Sequence, residues 1–150
     1  MIDPTIRSAD ADNGDDLAQL ELLETEAREA LTGARGGDRW LAEHLPIAKR
    51  WAVECADSDV LVAHIGEVVV GYLVGRIGTD DVLRVDQVWV TPQARENGFG
   101  DALLARSIEN AQGRGAVAVE GQALPGDRQT KNLYERAGIV ARLITTFRWL

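Results

Sequence analysis

The segment VWVTPQARENGFGDALLARSIENA, Val88 to Ala111, constrains the fold more than any other stretch of the chain. An apolar run of strand character stops at Thr91-Pro92. A polar loop carrying Arg95, Gly98 and Gly100 follows, and a helical pattern starts at once. Leu103, Leu104, Ser107, Ile108 and Ala111 fall on one face of that helix. A strand that delivers a glycine loop directly into a helix opens a strand–helix–strand unit and needs a second strand for the helix to return to. The run from Ala116 to Ala123, after the break at Gly113 to Gly115, supplies it.

Three further strands precede this unit. Val60 to Ile65 and Val68 to Ile77 flank Gly66-Glu67 and read as a β-hairpin, and Asp81 to Val90 follows a turn at Gly78-Thr79-Asp80. Strict alternation in the last run sets Leu83, Val85, Gln87 and Trp89 on one face and Asp86, Val88 and Val90 on the other. Thr5 to Arg7 fits a short first strand. Asp12 or Asn13 then caps a helix with Leu17, Leu20, Leu23, Ala27 and Leu31 near a helical period, stopped at Gly33. A second helical piece covers Asp38 to Leu45, breaks at Pro46 and resumes to Cys55. Asp127 caps a short helix that ends at Gly138, and IVARLITTFRWL reads as a final strand or hairpin. The order β-α-α-β-β-β-α-β-α-β predicts a mixed α/β (α+β) sheet in one domain, residues 1–150.

Charge and cysteine usage narrow the function. The net charge of −8, with no cluster of lysine or arginine, offers no stripe to displace counterions from nucleic acid. It suits an amine-bearing partner. No apolar run is long enough to span a bilayer, and the acidic N-terminus is no signal peptide. The lone Cys55 has no internal disulfide partner, which points to a cytoplasmic protein. His44 and His64 lack metal-ligand spacing, so no metal site is expected.

A glycine loop opening a helix is an anion site, because backbone N–H groups converge there and no Cβ obstructs approach. The nucleotide-triphosphate loop fails, since Asp101 and Ala102 stand where lysine and a hydroxyl are required after Gly100. The dinucleotide fingerprint fails too. Leu103 replaces its third glycine, and Thr91 to Asn97 separate the glycines from the strand. What remains is Arg95-Glu96-Asn97-Gly98-Phe99-Gly100, of form [Q/R]xxGx[G/A]. With the preceding VxVTPxxR, the helix after it, and LYERAGI at Leu133 to Ile139, this loop resembles the GCN5-related N-acetyltransferases, over about Val60 to Phe147.

The resemblance implies a twisted sheet of six or seven strands, mostly antiparallel, with about four helices and two central parallel strands that splay. It implies acetyl-CoA in that cleft, with backbone groups of Val88, Trp89 and Val90 along the pantetheine arm. The pyrophosphate would sit on Arg95, Glu96, Asn97, Gly98, Phe99, Gly100 and Asp101. Tyr134 matches the family's general acid, and Asp127 the position of a cofactor-binding asparagine. A carboxylate must take the amine's proton. Asp86 is the first candidate by strand parity and Glu120 the second. Three residues depart from the family pattern: Glu96 for a small or basic residue, Asp127 for asparagine, and Ile139 for phenylalanine. The implied activity is acetyl transfer to a primary amine of a small molecule or peptide, without nucleic acid or membrane. The alternative is a non-catalytic acyl-CoA-binding module of the same fold. A homodimer is compatible with either. Arg35 to Trp40, His44, Trp51 and Thr145 to Trp149 are the candidates to line the acceptor side.

Overall fold

The computed structural model describes residues 3–150. Five strands form one sheet in sequence order: β1 (Thr5–Ser8), β2 (Asp59–Ile65), β3 (Val68–Ile77), β4 (Val82–Val90) and β5 (Ala118–Gly121). Neighbours are antiparallel except β4 and β5, which run parallel. The helices are α1 (Gly14–Leu31), α2 (Gly37–Glu43), α3 (Trp51–Asp57), α4 (Phe99–Gly113) and α5 (Arg128–Arg136). Short 3-10 turns at Ala48–Arg50 and Pro92–Ala94 lead into α3 and toward α4. Among the described residues no helix is long and apolar enough to cross a membrane.

Each face of the sheet buries its own core. Leu103, Leu104 and Phe99 of α4, with Leu133 and Tyr134 of α5, pack on Leu61, Leu73, Leu83 and Val85. On the other face, Leu20 and Leu23 of α1 meet Val62, Tyr72 and Val74 beside Trp51. There the Trp51 and Tyr72 rings meet edge to face at 5.4 Å between centroids, a geometry contributing about 0.5–1.5 kcal/mol beyond area burial. The Tyr72 hydroxyl donates to Gln87 at 2.7 Å, so this buried ring keeps a polar partner.

Two buried carboxylates fasten the first helix. Asp16 accepts both terminal nitrogens of Arg7, at 2.7 and 2.8 Å, tying β1 to α1. That guanidinium holds the Asp16 carboxyl below the usual range. Glu24 accepts from the backbone N–H of Ile47 and Ala48 at 2.9 and 2.8 Å, so α1 anchors the turn that precedes α3. Asn13, rather than Asp12, is the cap of α1 and accepts from Asp15 and Asp16.

Two expectations are corrected. The sheet has five strands, because residues 140–150 form none and lie exposed. A strand requires an edge to pair with, and β5 is only four residues long. The strict alternation in β4 also fails. Val74 pairs with Gln87 while its neighbour Gly75 pairs with Val85, so Asp86 is an extra residue, a β-bulge. After the bulge the faces exchange. Val88 and Val90 join the α4 core with Leu83 and Val85, and Trp89 joins the α1 side.

Candidate active site

The bulge marks the place where the two parallel strands part. β4 and β5 are in register from Val82–Ala118 to Val85–Gly121, and β4 then continues alone to Val90. Beyond Val85, its edge toward β5 therefore has no strand partner. Thr91 N–H donates to Val70 of β3 at 2.8 Å. Backbone groups alternate sides along a strand, so the N–H groups of Val88 and Val90 point into the gap. The Val90 carbonyl on that side accepts from Arg95 Nε at 3.0 Å.

Arg95 thereby folds back over the strand it follows. Its guanidinium lies 4.6 Å from the centroid of the Trp89 ring, a cation–π arrangement. The indole N–H of Trp89 donates to Glu26 of α1 at 2.9 Å. Strand β4, the loop and α1 are thus joined through one side chain. Asn97 pins the loop internally, donating to the Ala94 and Arg95 carbonyls at 3.2 and 3.0 Å.

The loop enters α4 without a cap. Gly98 is the N-cap at φ 80°, and no side chain among the described residues caps the first turn. Among the described residues, the backbone N–H groups of Glu96 to Asp101 meet no protein acceptor. The first intrahelical bond is Ala102 N–H to Gly98 O at 3.0 Å. Glu96 is also left-handed, at φ 66°. Positive φ at residues 96 and 98 turns successive N–H groups toward one side, the geometry of an anion-binding nest. A Cβ on Gly100 would meet Leu133 and Val90 only at ordinary contact distance, 3.6–3.8 Å, so packing does not demand glycine there. Phe99 is 1% exposed. Its ring is core, and only its backbone faces the nest. Asp101, in the first turn, pairs with Arg136 of α5 at 2.9 Å. The Glu96 side chain is exposed.

Tyr134 of α5 closes the base of the gap. A Cβ at Gly121 would come within 2.5 Å of its ring and hydroxyl, so the last residue of β5 must be glycine for the tyrosine to sit there. Burial, with the charges of Asp127 and Asp86, pushes the Tyr134 hydroxyl up to about 12, so it is protonated at neutral pH. Asp86 lies in the bulge with Oδ2 3.1 Å from Arg76 Nε, half-exposed. Glu120 pairs with Arg84 at 3.5 Å and Arg142 at 3.8 Å. Asp127 caps α5, accepting from the Thr130 N–H at 3.1 Å and its hydroxyl at 2.6 Å. Both its oxygens are engaged, and a carboxylate has no proton to donate to a ligand.

The structure brings together Val88, Val90, the loop from Arg95 to Asp101 and Tyr134; the bulge takes Asp86 out of the parity with Val88 and Val90 that made it the first base candidate, although its charge still reaches the Tyr134 hydroxyl. Sequence reasoning missed three contributors: Gly121, the Glu26–Trp89 bond and the Arg136–Asp101 tether. The bulge had a signal, since apolar residues at 83, 85, 88 and 90 skip a beat in the alternation. Of the acceptor-side candidates, Trp51 is core at 1% exposure. Trp40 stacks on His44 at 4.3 Å, and Arg39 lies over Phe147 at 3.9 Å. A surface depression of about 500 Å³ lined by Asp59, Glu109, Asn110, Gly113 and Arg114 sits at the opposite end of α4 from the nest.

A parallel strand pair that parts at a bulge, beside an uncapped helix, leaves a bare strand edge and a set of free amides at one gap. Residues 19–139 match the family model described as the acetyltransferase (GNAT) family, and the chain belongs to that family. Among solved structures, it is similar to a tetramutant of the BH1408 protein from Bacillus halodurans (TM-score 0.76, 18% identity, covering 97% of this chain and 99% of that one). An aminoglycoside acetyltransferase, meta-AAC0020, from an uncultured soil metagenomic sample and in complex with sisomicin, aligns with TM-score 0.73 at 15% identity, over 98% and 95% of the two chains. The PaiA N-acetyltransferase of Thermoplasma acidophilum in complex with coenzyme A aligns with TM-score 0.70 at 14% identity, over 91% and 89%. No curated protein matches the chain in sequence.

Proposed function

We propose that this acetyltransferase moves an acetyl group from acetyl-CoA to a primary amine by direct attack, with the residues of the β4–β5 gap dividing the work. The observation that carries the reading is the run of unpartnered N–H groups from Glu96 to Asp101, next to the bare edge of β4. Those amides take the pyrophosphate, together with the terminal nitrogens of Arg95. The N–H groups of Val88 and Val90 hold the pantetheine arm like an added strand, and one of them faces the thioester oxygen as charge develops there. The Trp89 ring carries Arg95 and leaves only its backbone to the ligand.

The chemistry balances as follows. The neutral amine nitrogen forms the new bond to the thioester carbon, the C–S bond breaks, and the thiolate leaves. Tyr134 gives the thiolate its proton, and a carboxylate takes one from the amine. Asp86 is the proposed base, directly or through a water, from Oδ1, which has no protein partner among the described residues. A hydroxyl held near 12 stays loaded through neutral pH, so the proton is in place when the thiolate departs. Asp127 is assigned to capping α5 rather than to the cofactor. The acceptor enters from the α1–α2 side, where Glu26 offers a carboxylate to a cationic amine. We place the reaction in the cytoplasm.

The test is thiol release from acetyl-CoA over a panel of amines and N-terminal peptides. Release that depends on an amine and falls at least tenfold in Tyr134→Phe supports the reading. Calorimetric binding of acetyl-CoA with no release from any amine would reassign the chain as a ligand-holding module.

A further inference from the structure

Two opposite charges at the gap are only half engaged. The Arg95 guanidinium commits Nε to the Val90 carbonyl at 3.0 Å, and its two terminal nitrogens meet no acceptor among the described residues. The Glu26 carboxylate takes the Trp89 indole N–H on Oε1 at 2.9 Å, and Oε2 has no partner among the described residues. All three side chains are partly buried, so neither charge is a freely solvated surface group. Opposite charges this close ordinarily meet. Elsewhere in the chain Arg7, Arg76, Arg84 and Arg136 each bond a carboxylate directly. Here one ring stands between them. Arg95 lies over its face, 4.6 Å from the centroid, and Glu26 is held at its edge. The ring itself is fixed, because Trp89 packs on the α1-side core.

We propose that Trp89 is a positioning residue that keeps these two charges apart, one for each substrate. The inference rests on the function proposed above and assigns a role within it. Arg95 stays available to the diphosphate of acetyl-CoA, and Glu26 to a cationic amine. An indole suits the task better than any other side chain. Its face attracts a guanidinium, and its edge N–H donates to a carboxylate but cannot accept from a cation. The ring need touch neither ligand. It acts through the two groups that it holds. Without it, the long Arg95 side chain is free to close on Glu26, and each charge cancels the other before a substrate arrives. Residues 26 and 89 are therefore coupled in their effect on the cofactor, although Glu26 is not assigned to the cofactor at all.

Calorimetry with acetyl-CoA tests this on the full chain, comparing wild type, Trp89→Phe, Trp89→Leu, and Trp89→Leu combined with Glu26→Gln. Phenylalanine keeps a face beneath the guanidinium, so affinity should stay within about threefold of wild type. Leucine removes the face and lets the charges meet, and affinity should fall about tenfold. Neutralising residue 26 in the leucine background should recover about threefold of that loss, because Arg95 is released. A tryptophan that merely fills space would give a loss that Glu26→Gln does not repair. The amine half is read by NMR on the complex with CoA. The Trp89 indole resonance, assigned by its absence in Trp89→Phe, should shift as n-butylammonium is added, and should stay still in Glu26→Gln. A leucine variant that melts below the assay temperature leaves the decision to this titration. Undiminished affinity in a folded leucine variant, an unrepaired loss, or an indole indifferent to butylammonium overturns the inference. A wild type that binds no acetyl-CoA removes the functional reading and this inference with it, whereas wild-type binding with unchanged variants removes this inference alone.

Discussion

Helices α4 and α5 pack on the same face of the sheet, and they begin in opposite ways. α5 is closed by its own sequence, with Asp127 holding the Thr130 N–H and hydroxyl. α1 is closed likewise, by Asn13. α4 has Gly98 where a capping side chain belongs, and its first amides meet no acceptor among the described residues. A missing cap costs about 1 kcal/mol. Helices α2 and α3 also start without a capping side chain, so what sets α4 apart is its run of unpartnered amides at a glycine loop beside the bare edge of β4. In the proposed function the difference makes α4 a binding helix and α5, which carries Tyr134, a chemical helix.

That division predicts separable kinetics. The largest effect belongs to the chemical helix. Tyr134→Phe keeps the ring that fills the space over Gly121 and removes only the proton, so kcat should fall about 100-fold or more. The KM for acetyl-CoA should stay within about twofold. Steady-state thiol release with both substrates varied checks this, and a rise in KM alone would merge the two roles. The next effect belongs to α4. Gly98→Val forces a β-branched residue to φ 80°, distorting the nest. Calorimetry should show about 30-fold weaker binding of acetyl-CoA, while turnover of acetyl-pantetheine, which has no pyrophosphate, should be unchanged. Equal losses on both donors would mean that the loop shapes the whole cleft.

Asp127→Ala sharpens the contrast from the other side. Losing the α5 cap should lower unfolding free energy by about 1 kcal/mol, read by denaturant titration, with the KM for acetyl-CoA unmoved. A KM rise above about threefold would return Asp127 to the cofactor site that the family pattern implies for its position.

How much of this was legible depends on where the information resides. The hairpin of β2 and β3, the strand into α4 and the loop itself could be read because alternation, glycine and helix period are local signals. Tyr134 was found through LYERAGI, but its setting was not. Gly121 is chosen by contact with a ring thirteen positions later, and no local pattern reports that. The bulge at Asp86 was hidden by counting strictly in twos, although Val85 and Val88 betray it. Asp127 is legible as a cap by residue type, and its two bonds to Thr130 bear that out. The segment after Gly138 has genuine strand character in its side chains. Pairing depends on an available edge, which composition cannot reveal.

The smallest predicted effect concerns the one residue that works against the binding helix. Glu96 holds φ 66° without being glycine, which costs about 1–2 kcal/mol, and it brings a carboxylate to the rim of the nest proposed to take a diphosphate. Solvent weakens that repulsion, because the side chain is exposed. Glu96→Gly removes both the strain and the charge, and leaves every N–H in place. The protein should become slightly more stable, and acetyl-CoA affinity should rise about two- to fourfold at low salt, the gain shrinking as salt is added. Calorimetry at two ionic strengths reads the charge, and the melting temperature reads the strain. Weaker binding in the glycine variant would mean that Glu96 orders the loop more than it repels the ligand, and the open start of α4 would then owe its shape to that side chain.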